Sequence, residues 1–135
     1  MAKKGFSKNI TELTHDNNNF RKVLYTGEHL QLVVMTLKPG EEIGEETHPD
    51  RDQFFRFEQG QGVVVIDGKN NKVEDDFGVI VPAGACHNVI NTGDEPLKLY
   101  TIYGPPEHKD KTIHKTKAQA ERDEEEDHFD GKTTE

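Results

Sequence analysis

The stretch Gly40-Glu41-Glu42-Ile43-Gly44-Glu45-Glu46-Thr47-His48, then Pro49-Asp50-Arg51-Asp52, then Gln53-Phe54-Phe55-Arg56-Phe57, reads as strand, turn and aromatic strand. Residues two apart on a strand share a face, so Glu46 and His48 project together, and Glu42 has the same parity. Gln53 opens the next strand five residues past His48. A fourth metal-capable side chain, His87, follows the turn Pro82-Ala83-Gly84-Ala85-Cys86. Two imidazoles, a carboxylate and an amide oxygen form a mixed nitrogen and oxygen set suited to a divalent transition metal.

Working outward, hydrophobic spacing from Phe20 to Tyr103 has the strand period and not the helical one, broken at short intervals by Gly, Pro, Asn or Asp. The pattern predicts strands over 22–26, 29–38, 43–48, 53–58, 62–67, 72–74, 78–81, 87–91 and 98–103. Asp67-Gly68, followed by Lys69-Asn70-Asn71, signals a hairpin, because these residues tolerate the positive φ that tight hairpin turns demand. Many short antiparallel strands solve their edge problem by closing into a barrel or a two-sheet jelly roll. The expected fold is therefore all-β, with an arm over residues 1–19, a barrel over 20–104 and a charged tail over 105–135.

The 135 residues amount to one domain, and their 31% hydrophobic and 32% charged content implies that part of the chain lies outside the core. Between Pro105 and Glu135 only Ile113, Ala118, Ala120 and Phe129 are hydrophobic. Ten acidic and six basic residues give that segment −4 of the total −9. Thr116 caps a short predicted helix through Lys117-Ala118-Gln119-Ala120-Glu121-Arg122. Composition reads the rest as a solvated, partly disordered terminus, against a sharper reading in which Ile113, His114 and Phe129 dock on a barrel mouth or a partner subunit. The acidic balance argues against nucleic acid and anionic membranes, and no apolar run reaches membrane-helix length. One cysteine, Cys86, permits no internal disulfide, in keeping with a cytoplasmic protein.

The two motif regions resemble those of the cupin superfamily. The family's first pattern, G(X)5HXH(X)3–4E(X)6G, falls on Gly40, Glu46, His48, Gln53 and Gly60, and its second, G(X)5PXG(X)2H(X)3N, on Asp76, Pro82, Gly84, His87 and Asn91, with every interval kept. The resemblance implies a single cupin jelly-roll barrel holding one divalent metal on Glu46, His48, Gln53 and His87. It departs at three positions: Glu46 stands for the usual His, Gln53 for the usual Glu, and Asp76 for a turn glycine. The first two compensate in charge, and the added oxygen donor shifts preference toward zinc, iron, manganese or cobalt and away from copper. Zinc is the first expectation, with iron or manganese behind it.

Small single-barrel cupins similar to this chain through Lys98–His108 are often named mannose-6-phosphate isomerase, and phosphomannose isomerases use the same Gln, His, Glu and His inventory for zinc. The resemblance thus implies an isomerase acting on a small sugar or sugar phosphate. Candidate bases are Glu42 and Tyr103, with His108 and His114 in the tail, and the nearest cations for a phosphate are Arg51 and an outward-pointing Arg56. One alternative is a non-haem iron dioxygenase on Glu46, His48 and His87. The other is a non-catalytic barrel whose Phe54, Phe55, Phe57 and Met35 line an apolar pocket. The expected partners are a small-molecule ligand and a second copy, a homodimer in which the strand near Phe20–Thr26 and the segment Ile10–Leu13 complete a partner's sheet.

Overall fold

Asp67 (φ 46°) and Gly68 (φ 81°) both lie in the left-handed region, and Ile66 pairs with Lys69 across them. The expected hairpin is thus a two-residue turn of the mirror-image kind whose twist matches that of its strands. The structure is a computed structural model that describes residues 2–135. Its elements run α1 (Ile10–Asp16), β1 (Arg21–Thr26), β2 (Gln31–Leu37), β3 (Glu46–Thr47), β4 (Asp52–Gln59), β5 (Gly62–Ile66) and β6 (Lys69–Val73). There follow β7 (Gly78–Val81), β8 (Cys86–Asn91), β9 (Leu97–Gly104), β10 (Ile113–His114) and α2 (Lys117–Arg122).

The strands form two antiparallel sheets, ordered β10-β1-β2-β9-β4-β7 and β3-β8-β5-β6. Pairing between strands distant in sequence, β9 with both β2 and β4, gives the single jelly-roll barrel. Alternation along β4 turns Gln53, Phe55 and Phe57 inward. Phe55, Phe57 and Met35 are fully buried and pack with Val64, Val89, Leu97 and Leu99, so they fill the barrel rather than line a pocket. Phe54 lies on the outer face against Tyr100, with ring centroids 6.3 Å apart. The motif glycine Gly60 has φ 101°, and a Cβ there would come within 2.8 Å of the Pro96 carbonyl oxygen. Asp76, standing where the pattern has glycine, adopts φ 70° and ion-pairs with Arg56 at 2.9 Å.

Two expectations are corrected at the ends of the chain. Residues 10–16 form a helix capped by Asn9, whose side chain accepts from the Glu12 N–H, and it packs on β2, β4 and β9 instead of extending a sheet. At the outer edge of β1, Arg21 and Lys22 pair with His114 and Ile113 of β10 in the same chain, which occupies that part of the edge. The tail also folds back onto the barrel. Thr116 caps α2 by accepting from the Gln119 N–H, Ala120 joins the core, and the Glu135 carboxylate accepts from the Lys4 and Gly5 N–H groups at 2.8 Å each. His114 is buried there, while Ile113 is exposed. Among the described residues no helix is long and apolar enough to cross a membrane.

Candidate metal centre

Pairing of β3 with β8 sets Glu46 directly opposite His87. His48 lies one residue past β3, where its carbonyl accepts from the Gly84 N–H at 2.9 Å and ties the two motif turns together. The result is a cluster in which one ligand atom each from Glu46, His48 and His87 lies within 4.8 Å of the others. His48 Nε2 sits 3.0 Å from Glu46 Oε2, and the two imidazole rings are 5.4 Å apart between centroids. His87 is 4% exposed, and its Nδ1 lies 3.4 Å from the Ala85 carbonyl, which leaves Nε2 as the ligand atom.

Gln53, on the inner face of β4, is 2% exposed and stands opposite Tyr103. Its Nε2 donates to Thr101 Oγ1 at 3.0 Å, and that hydroxyl donates to the Phe54 carbonyl at 2.8 Å. The amide is thereby oriented, and its Oε1 is left buried without a partner. An unpaired buried acceptor costs about 1–3 kcal/mol, so this atom calls for a ligand. The carboxylate and two imidazoles fit a divalent cation of the zinc, iron or manganese kind, and the orphaned amide oxygen is a donor of matching chemistry inside the same barrel.

A second layer orients the cluster. His48 Nδ1 faces Glu107 Oε2 at 3.5 Å, and the Arg51 Nε binds the same carboxylate oxygen at 3.1 Å. Carboxylate–histidine pairs of this kind hold a metal-binding ring in one tautomer. Burial disfavours the charged His48 ring, but the hydrogen bond to Glu46 and the charges of Glu46 and Glu107 outweigh it and raise its pKa. Burial likewise opposes ionisation of Glu46, yet the His48 hydrogen bond and the charges of His48, Arg21 and His87 hold it below the usual carboxylate range. Burial keeps His87 below its ordinary value. A protonated ring nitrogen cannot bind metal, and His48 takes up its proton above the ordinary 6.5. Metal affinity, read by competition with a chelator, should therefore fall as the solution is acidified through the imidazole range; affinity that stays flat through that range would contradict this site.

Beside the cluster runs a buried hydrogen-bonded chain. Tyr103 packs edge-on against His48 at 5.9 Å, and its hydroxyl lies 3.2 Å from His108 Nε2. His108 Nδ1 lies 2.6 Å from Asp127 Oδ2. Burial lowers the His108 pKa to about 4, while the bond to His108 holds Asp127 near 2 against the opposing effect of burial. At neutral pH the ring is uncharged, donates through Nδ1 to the Asp127 carboxylate and accepts from Tyr103 at Nε2.

Above the cluster a cavity of about 620 Å³ opens between β1, the β3 end and α2; Glu46, His48, Glu107 and His108 line it. The other expected residues lie elsewhere. Gly44, at φ 112°, breaks the strand expected over 43–48, so the parity argument fails for Glu42; it forms an isolated bridge with Ile90 and does not line the cavity. Arg51 is engaged by Asp50 and Glu107, and Arg56 by Glu58 and Asp76, so neither offers a free cation. His128, exposed and 4.0 Å from Glu107, stands at the rim of the cavity, and His114 bonds Arg21. Sequence reading missed Glu107, Asp127 and Arg21, which belong to neither motif.

A family model of the cupin domain matches residues 33–103, more than half of the chain. The chain belongs to the cupin family. It is similar to the uncharacterized protein YrkC of Bacillus subtilis, 52% identical over 124 residues, which is 87% of this chain and 66% of that protein. It is also similar to the uncharacterized protein L612 of Acanthamoeba polyphaga mimivirus, 42% identical over 105 residues, 74% of this chain and 65% of that protein. The cupin thus spans about two thirds of these curated relatives. Among solved structures, BH2720 from Bacillus halodurans is 46% identical with a TM-score of 0.87, covering 88% of this chain and 95% of that one.

Proposed function

We propose that this cupin is a metal-dependent enzyme that isomerises a small sugar or sugar phosphate in the cavity at the barrel mouth, with zinc on Glu46, His48, Gln53 and His87. The observation that carries the reading is the orphaned Gln53 Oε1, buried in the barrel that holds the Glu46, His48 and His87 cluster. A divalent ion held there supplies Lewis-acid polarisation of a carbonyl. The chain supplies the rest. Tyr103 keeps its proton beside His48, burial making the phenol a weaker acid than usual. His108 accepts the hydrogen bond of that hydroxyl and is itself oriented by Asp127, so the chain from Tyr103 through His108 to Asp127, which meets the cavity at His108 and Asp127, is placed to pass a proton between neighbouring carbons. Glu107 and Arg51 hold the His48 ring in the orientation its role needs.

Two measurements on protein purified without a metal-affinity tag test this. Elemental analysis should find zinc near one per chain. Incubation with a panel of small aldoses, neutral, phosphorylated or bearing a carboxylate, in deuterated water should for one of these classes incorporate deuterium at the carbon next to the carbonyl, and Tyr103→Phe should slow this by about 10²–10⁴-fold, the usual span of general acid–base catalysis. Zinc-loaded protein without exchange would sink the isomerase reading. Iron in place of zinc would support the second reading, an oxygenase, which rests on the two-histidine, one-carboxylate set of Glu46, His48 and His87.

A further inference from the structure

Arg21 enters the cavity from β1, and it is only 6% exposed. Nη1 donates to His114 Nδ1 at 3.2 Å, and the Phe20 ring lies 5.3 Å from the guanidinium carbon, which fixes the plane of the group. Its Nε is buried without a partner, and among the described residues no carboxylate forms an ion pair with it. Among the described residues neither Nε nor Nη2 forms a hydrogen bond, so this side of a largely buried charge has no partner of its own. A buried charge left without a counter-ion is costly, and a guanidinium edge matches two oxygens of one planar anion. Glu46 and Asp127 are the carboxylates whose ionisation Arg21 favours from a distance, and Asp127 is already engaged by His108.

We propose that Arg21 anchors the carboxylate of a small acid, whose hydroxyl or carbonyl oxygen then points toward Glu46 and His48. The choice between carboxylate and phosphate follows from charge. Six carboxylates line the cavity against two permanent cations, Arg21 and Lys117, and Lys117 already faces Glu121 at 3.9 Å. One guanidinium edge balances a monoanion, whereas a phosphate dianion at the Arg21 end would bring a second charge that no other side chain of that end meets. This inference deepens the reading above and narrows its substrate to an acidic one; it relies on that reading only for the contact at the metal end.

The test is titration calorimetry of the full chain, zinc-loaded and zinc-free, with glycerate, its neutral amide and glycerol 3-phosphate. Glycerate should bind the wild type. Binding should weaken by about 10–100-fold in Arg21→Gln, the range expected for one charge-assisted hydrogen-bonded contact. Arg21→Lys, which keeps the charge but loses the edge, should weaken it too, and its circular dichroism guards against a folding defect in the Gln variant. The amide should not bind, and zinc affinity should not fall in either variant because Arg21 is no ligand. No glycerate binding by the wild type, equal binding by both variants, or tighter binding of glycerol 3-phosphate overturns the proposal. Failure of zinc to bind the wild type overturns the metal reading alone, since the zinc-free arm still reports whether Arg21 holds the carboxylate.

Discussion

His87→Ala is expected to lower zinc affinity by about 100–1,000-fold. Structural zinc sites with four ligands are worth ~10–16 kcal/mol, so an even share is about 3 kcal/mol per ligand, or two to three decades in affinity. His87 should lose its full share because its position is fixed on two sides: β8 holds it opposite Glu46, and the Ala85 carbonyl faces its other ring nitrogen. Gln53→Ala should cost less, about tenfold, because water can replace an amide oxygen that is a weak neutral donor. Glu107→Gln touches no metal, yet it weakens the brace on the His48 ring and should cost about 10–100-fold, the span seen when outer partners of ligating histidines are removed. Competition titration with a chromophoric zinc chelator resolves this ranking. Equal affinity in wild type and His87→Ala would place the metal elsewhere.

That ranking separates what the motif spacing carried from what it could not. Intervals between Gly40 and Asn91 specify which side chains share the barrel interior, because strand parity and tight turns leave few alternatives. The structure brings Glu46, His48 and His87 together and turns Gln53 inward with a free oxygen. Parity failed at Glu42 because one glycine with positive φ is enough to reset the face of a strand. The ends of the chain escaped for a different reason. The C-terminal segment is secured mainly by hydrogen bonds: Phe129 N–H to the Glu107 carbonyl, Thr134 N–H to the Thr26 carbonyl, and Asp127 to His108. A composition poor in apolar residues reads as solvated because it records burial, and it is blind to polar groups that satisfy one another across a hundred residues. Arg21 was invisible for the related reason that only the closing of β10 and α2 over it makes its burial unusual.

The same polar clasp leads to the other large effect. Asp127→Ala should destabilise the protein by about 3 kcal/mol at neutral pH and release residues 113–135 from the barrel. The Asp127 carboxylate, 8% exposed, accepts from His108 Nδ1, the Lys109 N–H at 3.3 Å and Thr112 Oγ1 at 3.2 Å. Its removal leaves the buried His108 donor unpaired, and hydrogen bonds to a charged acceptor are worth about 1.5–3 kcal/mol. Faster hydrogen exchange in β10 and α2 should accompany the loss, since both hang on this contact and on the edge of β1.

Acidification has a definite sign here. His108 titrates near 4 in the fold against an ordinary 6.5, so the unfolded chain binds its proton first, and stability falls as pH drops from 6.5 toward 4. That interval corresponds to ~3 kcal/mol. Asp127, near 2 against 3.8, adds a further loss below pH 3.8. His87 and His114 are lowered too and His48 is raised, so the clean quantity is a difference between variants. His108→Gln removes the titrating group. Between pH 6.5 and 4, urea unfolding should therefore show wild type losing about 3 kcal/mol more than His108→Gln. Parallel stability curves over that interval would mean that His108 is charged in the fold, and that the Tyr103–His108–Asp127 chain carries its protons differently from the arrangement deduced above.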